Sequence, residues 1–272
     1  MSILRVSLIQ LGYGDDESVQ DRVARAAELV AETRGQDFVV LPELWAPTGF
    51  DYRHWADRAE PVDGPIAQAM SAAAKAAGVV LHAGSIVEGL PHPGPEGKSL
   101  ANTSLIFGRD GELVTAYRKI HRFGFAEGEP ALLEAGDEVL VADLRFAEDP
   151  SMQVSTGIST CYDLRFPELY RRQLDAGATL FVVPAAWPLS RVAHWSLLGR
   201  ARAVENQCFV LACNTAGTHA GVTMGGHSVV VGPTGEVLAE AGEDQQILTV
   251  EIDLDDVERT RSAFPVLADR RL

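Results

Sequence analysis

Apolar and polar positions along the chain follow two periods, one typical of strands and one typical of helices. Short continuous apolar runs, such as 38–41 and 179–183, are typical of strands that are buried on both faces. Between 18 and 33 the apolar residues recur at helical spacing, which predicts an amphipathic helix ending at Gly35. Further strands are predicted at 3–10, 79–87, 102–107, 113–118, 139–144, 153–158, 208–213, 227–231, 236–239 and 247–254, and further helices at 66–77, 167–177 and 192–206.

This order of elements indicates the fold class. Buried strands that alternate with helices, together with hairpins at 108–111 and 232–235, predict an α/β fold with a mixed sheet or sheets. The segment 122–137 has no clean periodicity and is predicted to be an ordered loop. No repeat or linker divides the chain, so we predict that residues 1–272 form a single domain.

Composition narrows the classes of function. The 272 residues carry a formal net charge of −15, which argues against nucleic acid or an anionic membrane as a partner. No apolar run reaches the roughly 18 residues that a membrane-spanning helix needs. The first ten residues resemble a strand rather than a signal peptide.

The cysteines and histidines indicate the compartment and the absence of a metal site. There are three cysteines, Cys161, Cys208 and Cys213, without paired spacing, so we expect reduced thiols and a cytoplasmic protein. The histidines are scattered without metal-ligand spacing, and we predict no metal. Cys208 and Cys213 lie in an apolar strand and are interpreted as structural.

Cys161 differs from the other two because it lies where a predicted strand gives way to a turn before a helix. Free backbone N–H groups and the helix dipole at such a position are expected to favour the thiolate. An isolated cysteine is more often a small buried apolar residue. Here Asp163, Arg165 and Glu168 follow within seven residues, which an inert core cysteine would not need.

Two other predicted strands are also followed by a residue whose side chain could act in catalysis. Glu43 follows the strand at 38–41, and Lys119 follows the strand at 113–118. Ligands bind beyond strand ends in α/β sheets, so Glu43, Lys119 and Cys161 are predicted to meet in one pocket. A thiolate could then attack an amide or nitrile carbon, with a carboxylate as proton carrier and an ammonium beside the oxyanion.

Three motifs resemble the signatures of the nitrilase superfamily of carbon–nitrogen hydrolases. They are Leu41-Pro42-Glu43-Leu44, Tyr117-Arg118-Lys119-Ile120-His121 and Cys161-Tyr162-Asp163-Leu164-Arg165-Phe166-Pro167-Glu168-Leu169. The segments 200–207 and 226–228 also fit, and the resemblance extends from Ile3 to about Arg270.

The resemblance implies roles for these residues. Glu43 would be the general base, Lys119 the oxyanion electrophile and Cys161 the nucleophile, with the Tyr162 backbone N–H as a second oxyanion donor. The implied fold is a four-layer α-β-β-α sandwich with two mixed sheets, commonly paired as a homodimer. No cofactor is implied.

Four further residues are candidates for substrate binding. The family has a second pocket glutamate seven residues before a Gly-Asp pair, which gives Glu129, with Glu127 as the alternative. Arg165 either binds a substrate carboxylate or pairs with Glu168 or a pocket glutamate. Trp187 either lines the pocket or packs in the core, and Tyr162 follows the nucleophile directly.

The residues after Cys161 indicate a branch of the family. Tyr162-Asp163 resembles the amidase branch, and omega-amidases in particular, more than true nitrilases, which usually carry Trp-Glu there. The predicted function is hydrolysis of a small, carboxylate-bearing amide through a Cys161 thioester, with release of ammonia. The alternatives are an N-carbamoyl amide hydrolase, a nitrilase, or a non-catalytic binding or scaffold protein. An α/β-hydrolase is disfavoured because Gly-x-Cys-x-Gly is absent.

Overall fold

The structure is a computed structural model that describes residues 2–125, 127–147 and 152–271. Residue 126 of the predicted loop and the two terminal residues of the predicted domain lie outside this part of the chain. Its strands are β1 (Ile3–Gln10), β2 (Phe38–Val40), β3 (Val80–Gly89), β4 (Leu100–Phe107), β5 (Leu113–Arg118), β6 (Val141–Arg145), β7 (Gln153–Ile158), β8 (Leu180–Pro184), β9 (Phe209–Cys213), β10 (Thr218–His219), β11 (Val222–Thr223), β12 (Val229–Val231), β13 (Val237–Glu240) and β14 (Gln246–Asp253). Its α-helices are α1 (Val19–Glu32), α2 (Pro65–Ala77), α3 (Glu129–Leu132), α4 (Pro167–Asp175), α5 (Val192–Asn206) and α6 (Asp256–Ala263).

Twelve of these strands form two mixed six-stranded sheets. The first sheet has the order β14-β1-β2-β3-β4-β5, and the second has the order β13-β12-β9-β8-β7-β6. β1, β2 and β3 are mutually parallel, as are β7, β8 and β9, while the outer strands pair antiparallel. Strands β10 and β11 form a separate two-stranded sheet.

Alternating side chains on the central strands build the layers. Phe38 and Val40 of β2 pack in one core with Leu180 and Val182 of β8, so the two sheets meet face to face. The intervening Val39 lies in a second core with residues of α1 and α2. Both faces of each central strand are therefore buried, which explains the continuous apolar runs in the sequence.

The second sheet repeats this arrangement. Phe181 and Val183 of β8 face away from the sheet interface and pack with Tyr170 of α4 and Trp195 of α5. Helices thus cover the outer face of each sheet, and the expected α-β-β-α sandwich is confirmed. Among the described residues, no helix combines the length and apolar character needed to cross a membrane.

The structure differs from the predicted elements at several places. The segment predicted as a loop contains the short helix α3, and a 3-10 helix, Cys161–Arg165, separates Cys161 from α4. The strand predicted to begin at 227 begins at Val229, because His227 has a φ of 53° and cannot extend the strand. Helix α6 was not predicted, because its sequence has no apolar stripe. In the structure only Val257 of this helix is buried.

Candidate active site

The structure places Glu43, Lys119 and Cys161 around one pocket at a common edge of the two sheets. Glu43 follows β2, Lys119 follows β5 and Cys161 follows β7. Glu43, Lys119 and Cys161 are 3%, 1% and 8% exposed, so the pocket reaches them with almost no surface open to bulk water.

A glycine in β3 allows Glu43 to approach the sheet. Gly84 has a φ of 70°, and a Cβ atom there would lie 1.9 Å from the Pro42 carbonyl oxygen. The next residue in β3, Ser85, accepts a hydrogen bond from the Leu44 N–H at 3.1 Å through its hydroxyl. The backbone on both sides of Glu43 is therefore held against β3, which fixes the direction of the carboxylate.

Lys119 lies at the centre of a buried group of polar side chains, which we call the Lys119 cluster (Glu43, Asn102, Lys119 and Glu129). Its ammonium donates to Glu43 Oε1 at 2.7 Å and to both Glu129 oxygens at 2.9 Å. The Asn102 amide donates to Glu43 Oε1 at 2.8 Å and to Glu129 Oε1 at 3.0 Å. The Ala186 N–H donates to Glu43 Oε2 at 2.9 Å. The two carboxylates are thus bridged by one cation and one neutral amide.

The electrostatics of this cluster keep Lys119 charged. Burial alone would lower the pKa of Lys119, but the Glu129 and Glu43 carboxylates outweigh it and raise that pKa well above its usual value. Burial raises the pKa of Glu129, and the Lys119 ammonium opposes this rise. With two carboxylates and one ammonium, the cluster carries a net charge of about −1 when both carboxylates are ionised.

The expectation that Cys161 favours the thiolate was wrong for the substrate-free pocket. Burial raises the pKa of the Cys161 thiol well above its usual value, and the adjacent Glu43 carboxylate raises it further. Lys119 acts in the opposite direction but does not prevail. The α-helix assumed to lower the pKa begins only at Pro167, beyond the 3-10 helix. The surroundings of Cys161 therefore favour the thiol over the thiolate.

A second buried group, the Asp163 cluster (Tyr117, His121, Thr160 and Asp163), holds the turn that carries Cys161. Asp163 is 0% exposed and accepts hydrogen bonds from Tyr117 Oη at 2.8 Å and from the Thr160 N–H at 2.9 Å. It also accepts from the His121 N–H at 2.9 Å, and its Oδ1 lies 2.7 Å from His121 Nδ1. These bonds join the chain before Cys161 to the chain around Lys119. Cys161 itself has a φ of 47°, a conformation that non-glycine residues adopt rarely and mainly at sharp turns.

The pocket outside these clusters is aromatic and cationic. The space around it is about 430 Å³ when open solvent at its mouth is included. Its other lining residues are Leu44, Gly49, Phe50, Tyr52, Trp55, Phe123, Tyr162, Arg165, Ala186, Trp187, Pro188 and Arg191. This lining suits a small molecule with a polar end and a short carbon chain.

Arg165 lies in this lining and not in a carboxylate pair. Its guanidinium lies 4.7 Å from the centre of the Trp187 ring, and its Nη2 lies 3.3 Å from Nδ1 of the exposed His194. Within the described ranges it forms no ion pair with Glu168 or a pocket glutamate. The interpretation of Arg165 as a structural ion-pair partner was therefore wrong.

The other candidate residues separate by position. Glu129 is buried and lines the pocket, whereas Glu127 is exposed and does not. Trp187 is 2% exposed and both lines the pocket and packs in the core beside Trp195. Cys208 and Cys213 are buried free thiols, as expected of structural residues.

Sequence reasoning missed three residues of this site. Asn102 bridges the carboxylates from β4, Tyr52 lines the pocket from a loop, and Arg191 lines it from the 3-10 helix after β8. A polar Asn102 at the start of an apolar strand was the one available signal. The described residues hold no cluster of three His, Cys, Asp or Glu side chains suited to a metal ion.

This fold and these three strand ends define the class of the protein. The family model described as carbon-nitrogen hydrolase matches residues 5–262, and the chain belongs to that family.

Proteins similar to this chain include amidases. The chain is 42% identical over 268 residues to a 2-oxoglutaramate amidase of Paenarthrobacter nicotinovorans, covering 98% of this chain and 90% of that protein. It is 36% identical to the human omega-amidase NIT2 over 282 residues, covering 100% of this chain and 96% of the relative. Among solved structures, XC1258 of Xanthomonas campestris, a CN-hydrolase superfamily protein with an arsenic adduct in its active site, superposes with a TM-score of 0.87 at 30% identity, covering 100% of this chain and 98% of that one.

Proposed function

We propose that this protein is an amidase that hydrolyses the terminal amide of a small carboxylate-bearing substrate and releases ammonia. The observation that carries the proposal is the Lys119 ammonium, which is buried between Glu43 and Glu129 beside the Cys161 thiol. A permanently charged donor next to a thiol and a carboxylate suits attack on an amide carbonyl. The names of the relatives, which are amidases of 2-oxo acid amides and omega-amides, agree with this chemistry.

The first step is proton transfer coupled to nucleophilic attack. Because the Cys161 pKa is raised, the thiol has to lose its proton as it attacks, and Glu43 is the adjacent carboxylate that takes it. This transfer leaves the net charge of the site unchanged. The Cys161 sulfur then forms a bond to the amide carbon, and the carbonyl π electrons move onto oxygen.

Lys119 and Glu129 act on the charge that develops. The oxyanion would be stabilised by the Lys119 ammonium and by the Tyr162 backbone N–H. When Glu43 becomes protonated it no longer balances Lys119. Glu129 contacts the same ammonium through both oxygens and keeps it charged at that moment.

Ammonia departs when the tetrahedral intermediate collapses. Glu43 returns its proton to the leaving nitrogen, the C–N bond breaks, and a thioester joins the acyl group to Cys161. Glu43 then accepts a proton from water as the water oxygen attacks the thioester, and collapse returns that proton to the sulfur. The net reaction converts an amide and water into a carboxylic acid and ammonia.

The far end of the pocket suits the carboxylate of the substrate. Arg165 is stacked on Trp187 and has no carboxylate partner among the described residues, so its donors other than the one near His194 can bind a ligand. A guanidinium binds a carboxylate through two parallel hydrogen bonds. We therefore assign Arg165 to the free carboxylate, with Tyr162 and Trp187 as the walls that orient the carbon chain.

We further propose that residues 1–272 act as one domain in a cytoplasmic homodimer. The exposed apolar residues Leu197 and Val204 of α5 and Phe264 near the C-terminus support pairing through a helical face. Three buried cysteines without a disulfide agree with a reducing compartment. Analytical ultracentrifugation of the full chain tests the dimer.

Ammonia release from a panel of substrates tests the activity. The panel contains 2-oxoglutaramate, succinamate, a plain aliphatic amide, an N-carbamoyl amino acid and a nitrile, each with the wild type and with Cys161→Ala. We expect the omega-amides to be preferred and Cys161→Ala to lose about 10⁴-fold or more in kcat. Preference for the carbamoyl compound or the nitrile would reassign the substrate class, and equal turnover by Cys161→Ala would exclude the mechanism.

A further inference from the structure

The pocket contains a second arginine that the reaction steps above do not use. Arg191 ends the 3-10 helix Leu189–Arg191, which follows β8. Its guanidinium lies 5.1 Å from the centre of the Phe123 ring. Its backbone is anchored, because its N–H donates to the Pro188 carbonyl at 3.0 Å and its carbonyl accepts from Trp187 Nε1 at 2.8 Å. The arginine is therefore presented to the pocket from a fixed base.

The donors of Arg191 are unpaired in the part of the chain that the structure describes. No described carboxylate forms an ion pair with either pocket arginine, although the protein carries a net charge of −15. Elsewhere, the buried Arg22 and the exposed Arg118 lie 3.3 and 2.7 Å from a glutamate. Two guanidinium groups without a carboxylate partner in one pocket indicate an anionic ligand.

The two ends of the pocket differ in charge, which orients such a ligand. Glu43, Glu129 and Lys119 bind one another at the deep end, where the neutral amide has to lie beside Cys161. Arg165 and Arg191 also line the pocket but are only half-buried, so their positive charge lies nearer its mouth. The free carboxylate therefore lies at the arginine end.

Arg165 in a bidentate pair uses two of the roughly four lone-pair sites of the carboxylate, and Arg191 supplies further donors and positive charge from the Phe123 side of the pocket. A 2-oxo group offers an acceptor oxygen beside the carboxylate, whereas a 2-ammonium group offers only donors and a positive charge. We propose that Arg191 is a specificity residue that selects omega-amides of 2-oxo acids and rejects omega-amides of 2-amino acids. This inference rests on the proposed amidase function.

Four amides and two charge-matched variants test the role of Arg191. The amides are 2-oxoglutaramate, succinamate, L-glutamine and pentanamide, which carry a 2-oxo group, no 2-substituent, a 2-ammonium group and no carboxylate. Arg191→Gln removes the pocket charge. Arg53→Gln is the control, because Arg53 is exposed on the loop before α2 and does not line the pocket.

We expect Arg191→Gln to lower kcat/KM for 2-oxoglutaramate by about 10- to 100-fold, mainly through KM. Pentanamide should stay within about twofold, and the preference for 2-oxoglutaramate over L-glutamine should fall by about tenfold. Arg191→Lys should restore part of that preference, since it retains the charge. Equal losses on all four amides, or the same result as Arg53→Gln, would overturn the assignment.

Binding of the product separates this inference from the proposed function. Calorimetry measures the affinity of 2-oxoglutarate for the wild type, Arg191→Gln and Arg53→Gln without any turnover. If 2-oxoglutarate binds more weakly only to Arg191→Gln and the wild type hydrolyses no amide, the anion site is supported and the amidase function is excluded. Hydrolysis of omega-amides with unchanged product affinity in Arg191→Gln would retain the amidase and overturn the role of Arg191.

Discussion

The two polar clusters beside Cys161 both contain a buried carboxylate, but they differ in their partners and in their relation to the pocket. The Lys119 cluster lines the pocket and concentrates one cation between two carboxylates. The Asp163 cluster surrounds one carboxylate with hydrogen-bond donors and does not line the pocket. Burial of a charge alone therefore does not identify a catalytic group.

What separates the clusters is whether a partner can be exchanged during a reaction. In the Lys119 cluster, Glu43 can accept a proton while Glu129 still balances Lys119. In the Asp163 cluster, each hydrogen bond of the carboxylate is made to a group whose position it fixes, and two of the donors are backbone N–H groups. We infer that the first cluster carries out the chemistry and the second positions the nucleophile.

Replacement of Lys119 should give the largest difference between the clusters. Lys119→Met removes the oxyanion donor, and we expect kcat to fall by about 10³-fold. It also leaves Glu43 and Glu129 buried without their cation, which should cost about 3–5 kcal/mol in the free energy of unfolding. Steady-state kinetics and urea unfolding measure the two effects.

Lys98→Met is a suitable control for Lys119→Met. Lys98 also forms an ion pair with a glutamate, Glu96, but at the surface. Exposed pairs contribute about 1 kcal/mol or less, so the control should retain both stability and activity. An Lys119→Met enzyme with activity within tenfold of the wild type would remove Lys119 from the reaction.

A matched pair of acid-to-amide variants should separate chemistry from positioning. Glu129→Gln keeps the shape of a side chain that already contacts the Asn102 amide and Lys119, and it removes one of two neighbouring negative charges. We expect kcat to fall by roughly 10- to 100-fold, because Lys119 loses its second carboxylate. The new NH₂ group has to face a donor, either Lys119 or the Phe123 N–H, so the free energy of unfolding should fall by about 1–3 kcal/mol, partly offset by the relieved repulsion between the two carboxylates.

Asp163→Asn should show a smaller loss of activity for a similar loss of stability. Its new NH₂ group has to face a donor such as Tyr117 Oη or the Thr160 N–H, which should cost about 1–3 kcal/mol of stability. Activity should fall by about tenfold or less, because Cys161 is displaced rather than removed. Thermal unfolding and kcat, measured on both variants, test this comparison. The same ratio of activity loss to stability loss in both variants would contradict the division into two roles.

The sequence predicted much of the fold because both faces of the central strands are apolar. Runs such as 38–41 and the motif around Cys161 carry local information, and the resulting strands lie within one or two residues of their predicted positions. Helix α6 was not predicted because it buries little apolar surface, and a helix of this kind needs no apolar stripe in its sequence.

The candidate site was predictable only where a functional residue follows a strand within a motif. Glu43, Lys119 and Cys161 do so, whereas Asn102 contacts the two carboxylates from within a strand and Arg191 lines the pocket from a short 3-10 helix, outside any motif. The protonation state of Cys161 also could not be predicted from the sequence. It depends on burial and on Glu43, which lies 118 positions away in the chain.

The pH dependence of Cys161 alkylation should give the smallest effect and the most direct view of the Lys119 cluster. Burial and Glu43 raise the Cys161 pKa, so the thiolate fraction is small at neutral pH and should grow about tenfold per pH unit below that pKa. We expect the iodoacetamide rate to rise continuously from pH 6 to pH 9 without a plateau, with mass spectrometry locating the label. Cys161→Ser supplies the background from Cys208 and Cys213.

The opposite result would change how the Lys119 cluster is understood. A fast, pH-independent rate already at pH 6–7 would mean that Lys119 balances a preformed Cys161 thiolate. Glu43 would then carry the proton in the substrate-free enzyme, and Glu129 would be the sole carboxylate that offsets Lys119. In that case Glu129→Gln should increase the alkylation rate of Cys161 at low pH, because Lys119 would be left with the thiolate as its partner. A continuous rise with pH instead retains Glu43 as the base that acts only when substrate is attacked.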